Sequence, residues 1–303
     1  PITTLGDDWQ TVQGALSGIE RIFEVLALPP ETRPDARPVD RSHAAVAVRD
    51  LVYGYLPDRP VLQGVSFSVR AGEHVALVGR TGAGKSSTVH LIGGLYAPWS
   101  GLVHVVGRDP RALTDDERRH VVGVVPQMVQ LFSGTVRDNL TLGDEAVPDE
   151  AVARAATIAG AADFIRALPQ GYDTVLSGAG RSGGAQLSAG QRQLLALARA
   201  LIWNPAVLLL DEATAAIDSA SDAALWAALR ADAAGQDRAV LTIAHRLTTA
   251  RAADRVMVME AGRIVEEGPP EELMRSGGRF AALVELEAAG WDWRCVNPVD
   301  EKS

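Results

Sequence analysis

HVALVGRTGAGKSSTVHLI, His74 to Ile92, opens with a short apolar run and passes through a glycine-rich loop into a helical pattern. Within it, Gly79 to Ser86 reads G-x-x-x-x-G-K-S, the P-loop pattern. It stands where such a loop has to stand, between a buried strand and the start of a helix. The glycines let successive backbone amides turn inward, so that Gly79, Arg80, Thr81, Gly82, Ala83 and Gly84 can cradle phosphate oxygens. Lys85 is placed to reach the terminal phosphates and the Ser86 hydroxyl to bind Mg²⁺, with Ser87 completing the set. The reading is an α/β chain with a P-loop NTPase core.

Outward from this stretch, HVVGVVP, AVLLLDE and AVLTIAH are further continuous apolar runs of strand length, as expected for a mainly parallel sheet covered on both faces. GVSFSVRAG alternates Val65, Phe67 and Val69 with polar residues, which predicts a half-buried strand and an antiparallel β subdomain. VMVMEAGRIVEEG reads as a hairpin around Ala261-Gly262. Helices are predicted over 85–95 and 191–203. The Ala-rich run from Asp149 to Leu168 reads as helix without a strand partner, and marks an inserted helical subdomain at about 128–190. AVLLLDE ends in two carboxylates with separate uses. Asp211 can hold Mg²⁺ through water, and Glu212 can orient or deprotonate an attacking water. Alone, Glu212 would be an acidic residue at a helix start, favoured there by the dipole.

Before the ATPase-like region, Leu5, Trp9, Val12, Leu16, Ile19, Phe23 and Leu26 recur at spacings of four and three, one stripe of a helix over 1–27. Asp7, Asp8, Glu20, Arg21 and Glu24 on its other faces predict packing against protein rather than lipid. LPPETRPDARPVDRSH follows, rich in proline and charge, and 28–43 reads as a linker to a domain at 44–290. The last residues, 291–303, lack periodicity and read as a tail. Of the 303 residues, 47% are apolar and 22% charged, an ordinary globular composition. A formal charge of −9 argues against a nucleic-acid surface, though not against a local phosphate pocket built from backbone amides. The single cysteine, Cys295, excludes an internal disulfide framework. No run reaches the length of a membrane span and no signal peptide is visible, so this chain by itself is expected to be soluble.

QLSAGQRQLLALARAL, Gln186 to Leu201, sets small polar residues in front of an apolar run. Ser188 followed by Gln191 fits a capping box. With the motifs above, it also resembles the signature sequence of the nucleotide-binding domains of ATP-binding-cassette (ABC) transporters. The resemblance runs from about Ala44 to Leu286 and keeps the family's motif order. Tyr55 matches the aromatic residue that stacks on adenine, Gln127 the Q-loop glutamine that senses Mg²⁺ and meets the membrane domain, and Asp218 the D-loop. His245 matches the switch histidine that contacts the γ-phosphate. Each has a plainer reading alone: a core aromatic, a turn after proline, a structural histidine closing a strand. Ala189 departs from the family's usual glycine, which puts the turnover rate in question.

The resemblance implies catalysis by Glu212, His245 and Gln127, and a site shared between two chains. Lys85 comes from one chain, and Ser188, Ala189, Gly190 and Gln191 from a second nucleotide-binding domain. It implies ATP and Mg²⁺ as cofactors and a transmembrane domain as partner, since 1–27 looks like the cytoplasmic end of an exporter's last transmembrane helix. The protein would then work at the cytoplasmic face of the cell membrane and export a substrate. The rivals are a low-turnover regulatory half of a heterodimer, a soluble non-transport ABC ATPase, and a P-loop small-molecule kinase. The last would leave LSAGQ and His245 without a role.

Overall fold

The computed structural model describes residues 18–24, 26–27, 45–176, 184–211, 219–244 and 246–289. The predicted linker, tail and residues 1–17 lie outside the described residues, as do Glu212, Asp218 and His245. The chain divides into two units between Asp35 and Ala36. In the first, residues 18–24 form a helix, α1, whose Ile19, Ile22, Phe23 and Leu26 are all exposed. Of the expected apolar stripe, Ile19, Phe23 and Leu26 are the members among the described residues. Among the described residues no helix is long and apolar enough to cross a membrane.

The second unit runs β1 (Val46–Tyr53), β2 (Leu62–Val69), β3 (His74–Val78), α2 (Lys85–Ile92), β4 (Ser100–Val105), α3 (Asp115–Val121) and β5 (Val122–Val125). It continues with β6 (Gly134–Thr135), α4 (Val136–Thr141), α5 (Asp149–Ile158), α6 (Ala162–Ala167), β7 (Val175–Leu176) and α7 (Ala189–Leu201). Then come β8 (Val207–Asp211), α8 (Ser219–Gln236), β9 (Ala239–Ile243), α9 (Leu247–Arg251), β10 (Arg255–Glu260), β11 (Arg263–Gly268), α10 (Pro270–Ser276) and α11 (Arg279–Ala288).

A six-stranded sheet has the order β11-β10-β3-β9-β8-β5, all parallel except the hairpin strand β11. Every residue of β3, β8 and β9 is buried, as continuous apolar runs require when both faces are covered. The turn into β11 places Ala261 and Gly262 at φ 45° and 75°, the left-handed pair that a tight two-residue hairpin uses. The separate antiparallel sheet β2-β1-β4 buries Leu62, Val65, Phe67 and Val69 from β2. The fold is thus the α/β class read from the sequence.

Between β5 and β8 lies the insertion. Val136, Leu140, Val152, Ala155, Ile165 and Leu176 pack with Leu195 and Leu197 of α7 into one cluster that reaches the sheet at Leu208 and Leu210. The helix expected from Asp149 to Leu168 is two helices, because Gly160 takes φ 69° and ends the first. The strand read into HVVGVVP begins only at Val122. Thr114 and Glu117 form a capping box that starts α3, and the helix runs through His120 and Val121. At the end of α2, Gly94 at φ 76° stops the helix short of the predicted Leu95.

Candidate functional site

β3 delivers the chain into the P-loop at the C-terminal edge of the sheet. Gly79 sits at φ 146°, and a Cβ there would lie 2.1 Å from the Met259 carbonyl oxygen. Gly84, at φ 104°, caps α2, and a Cβ there would lie 2.5 Å from a Leu62 methyl. Both positions therefore need glycine for conformation and for closeness. The loop is held from outside as well. The Ala83 carbonyl accepts a hydrogen bond from the Gly262 amide at 3.1 Å, and the Gly262 carbonyl accepts one from Gln63 at 2.9 Å. The β10–β11 tip thus joins the P-loop to the antiparallel sheet.

Lys85, the first residue of α2, is 7% exposed, and its Nζ donates to the Gly79 and Arg80 carbonyls at 2.7 and 2.8 Å. The ammonium is held inside the loop's own curve, where phosphate charge would need it. Next to it, the Ser86 hydroxyl lies beside the Asp211 carboxyl at the end of β8. Asp211 is 6% exposed, and its Oδ1 is buried without a hydrogen-bond partner. Burial pushes its carboxyl up, while Ser86 and the nearby His90 and Lys85 offset part of that rise.

A buried carboxylate oxygen with no donor costs on the order of 1–3 kcal/mol unless something supplies positive charge. A hard cation taking oxygen ligands fits that donor set, with the hydroxyl and carboxylate as neighbours. Among the described residues no group of three His, Cys, Asp or Glu side chains could hold a metal alone.

The neighbouring strand adds Gln127. β5 pairs with β8 so that Val125 faces Leu210, which puts the exposed Gln127 just past the sheet edge that carries Asp211. Tyr55, just past β1, is 51% exposed, and its hydroxyl shares a 3.0 Å hydrogen bond with Ser87 Oγ on α2. The structure therefore gathers Tyr55, residues 79–87, Gln127 and Asp211 at one edge.

The signature residues stand apart, at the start of α7. Ser188 Oγ accepts from the Gln191 amide at 3.1 Å, and Gln191 Oε1 accepts from the Ser188 amide at 2.9 Å. Both halves of the capping box are present, and Ser188 and Ala189 are exposed. Ala189 is not among the described non-glycine residues with positive φ, so its methyl brings no backbone strain. Two neighbours of the site escaped the sequence reading. His90 follows Ser86 by four residues on α2, a spacing that could have flagged it. Tyr96 lies beyond the helix end, where no periodic signal reaches.

The profile described as "ABC transporter" matches residues 62–215, just over half of the chain. The chain belongs to the ABC transporter family. Membership carries ATP binding and hydrolysis with it, and the P-loop of this ABC protein lies inside the matched span. The chain is 43% identical over 285 residues to an ATP-dependent lipid A-core flippase of Aromatoleum aromaticum, covering 93% of this chain and 46% of that protein. It is 41% identical over 295 residues to the mycobactin import ATP-binding/permease protein IrtB of Mycolicibacterium thermoresistibile, covering 96% of this chain and 49% of the other. A bacterial Atm1-family ABC exporter solved with ATP bound superposes with a TM-score of 0.78 at 36% identity, over 94% of this chain and 49% of that one. The ABC chain thus spans about half the length of these relatives.

Proposed function

We propose that this chain is the ATPase part of an exporter, acting as a Mg²⁺-dependent head-to-tail pair at the cytoplasmic face of a membrane. One observation carries the reading. The buried, unpartnered Asp211 Oδ1 stands beside Ser86, with Lys85 folded into the loop next to it.

In this reading residues 79–84 wrap the phosphates with backbone amides, and Lys85 leaves its two carbonyls to meet them. Tyr55 stacks on the adenine. Ser86 and Asp211 hold Mg²⁺, the latter through water, and Gln127 completes the surroundings. The cation supplies charge neutralisation on the phosphate oxygens. Glu212 orients the attacking water, and His245 and Asp218 take the roles that their motif positions suggest. Ser188 to Gln191 present a helix N-terminus, with free amides and positive partial charge, to the nucleotide held by a second chain. The exposure of that capped tip supports a partner outside this chain. The exposed apolar side chains of α1 support attachment to a membrane domain. Export is supported by the relatives named as flippase and exporter, although IrtB is named for import.

Glu212→Gln tests the pair, since it spares binding while removing the group assigned to water. With ATP and Mg²⁺ it is expected to run as a dimer in light scattering, holding two nucleotides. One trapped nucleotide would favour an unequal pair with a regulatory half, and a persistent monomer would overturn the shared site.

A further inference from the structure

Tyr55 would be a poor platform if it were free to turn. It stands just past the end of a strand, half-exposed, and each rotamer it samples has to be given up when a base lands on it. Three contacts already restrain it. Its hydroxyl is tied to Ser87 at 3.0 Å. The buried Tyr53 meets it nearly edge-on, with centroids 5.2 Å apart and planes at 79°. Tyr96 meets it from outside the sheet at 5.6 Å and 89°. Tyr96 is in turn set against Tyr53 at 5.5 Å and His90 at 6.0 Å, so it is itself braced by the β subdomain and by α2. An edge-to-face ring pair favours one relative orientation beyond what area burial alone gives. A restraint made before the ligand arrives raises affinity by no more than the orientational freedom it removes from the free platform.

We infer that Tyr96 is a positioning residue of the nucleobase subsite, holding Tyr55 in the orientation that receives the purine ring. The inference rests on the platform role given to Tyr55. It assigns Tyr96 to the base, because its ring meets the platform ring directly, while the Ala83 carbonyl of the phosphate loop is bonded to Gly262. Ring geometry carries the effect, not the hydroxyl.

The test separates base from phosphate. Calorimetric titration of the chain with ATP and with inorganic tripolyphosphate, both with Mg²⁺, would be run on Tyr96→Ala, Tyr96→Leu, Tyr96→Phe and Tyr55→Ala, with melting followed for each. Tyr96→Ala and Tyr96→Leu are expected to weaken ATP binding roughly three- to tenfold, with tripolyphosphate unchanged and Tyr96→Phe near wild type. The leucine variant keeps apolar bulk, so it answers the question if alanine loosens the fold. Equal losses for both ligands, or no loss for either, would overturn the inference. Tyr55→Ala keeps the two failures apart. If it weakens ATP while Tyr96 variants do not, only the role of Tyr96 falls; if it changes nothing, the platform reading falls first.

Discussion

Ala189 adds a methyl group at the exposed first position of α7, where backbone geometry is already helical. The amide that would face phosphate is the same in alanine as in glycine, so Ala189→Gly is expected to change ATP turnover by less than about tenfold, roughly 1.4 kcal/mol. A steady-state assay decides it, and a hundredfold rise would mean that the methyl obstructs the partner's nucleotide. His74 gives a prediction of another kind. Its ring is 3% exposed and stacked 4.8 Å from Trp226, and burial holds its pKa at about 4 instead of 6.5, with Asp254 opposing and Arg230 assisting. Above pH 6.5 it is neutral in both states and costs nothing. As pH falls towards 4 the unfolded chain binds a proton that the native state refuses, and stability drops by up to about 3 kcal/mol. His74→Phe should flatten that slope in urea unfolding measured between pH 7 and 4.

At the level of elements, the loop after Gln127 is fastened to the signature helix by a small polar clamp. Asn139, wholly buried on α4, accepts from the Phe132 amide at 2.8 Å and donates to the Phe132 and Thr135 carbonyls at 2.9 and 3.0 Å. Arg199, near the far end of α7 from Ser188, donates to the Asn139 carbonyl at 2.7 Å and lies over the Phe132 ring at 5.3 Å. Each neutral bond is worth about 1 kcal/mol, and an orphaned buried group costs more. Asn139→Ala should therefore lower unfolding free energy by about 2–4 kcal/mol in denaturant titration, with a fall below 1 kcal/mol meaning that water replaces the side chain.

For the molecule as a whole, the exposed Ser188 tip, in the proposed pairing, predicts that one chain is an incomplete machine. ATPase activity per chain should fall on dilution, with total activity approaching second-order dependence on protein concentration, and a rate per chain independent of concentration would contradict pairing. Much of this architecture was legible beforehand, for definable reasons. β3, β8 and β9 are buried throughout and almost wholly apolar because both their faces are covered, and Gly79 to Ser86 is a motif that its own backbone geometry demands. The His120–Val121 boundary was not legible, since an apolar run looks alike at a helix end and in a strand, and the deciding signal was the cap six residues upstream at Thr114. The Tyr53, Tyr55 and Tyr96 cluster was hidden for another reason. It draws Tyr96 onto Tyr53 and Tyr55 from a separate part of the sequence, and no local period records that.

The grip of Gly262 on Ala83 has a practical corollary for anyone altering this chain. A surface turn far along the polypeptide is ordinarily a safe place to splice in a label or to nick the backbone. Here the turn is a buttress, and a residue bulkier than glycine at 262 would run into the Val61 carbonyl 2.2 Å away. Fusing cargo at Ala261 would loosen the P-loop from behind, through the backbone of the turn alone.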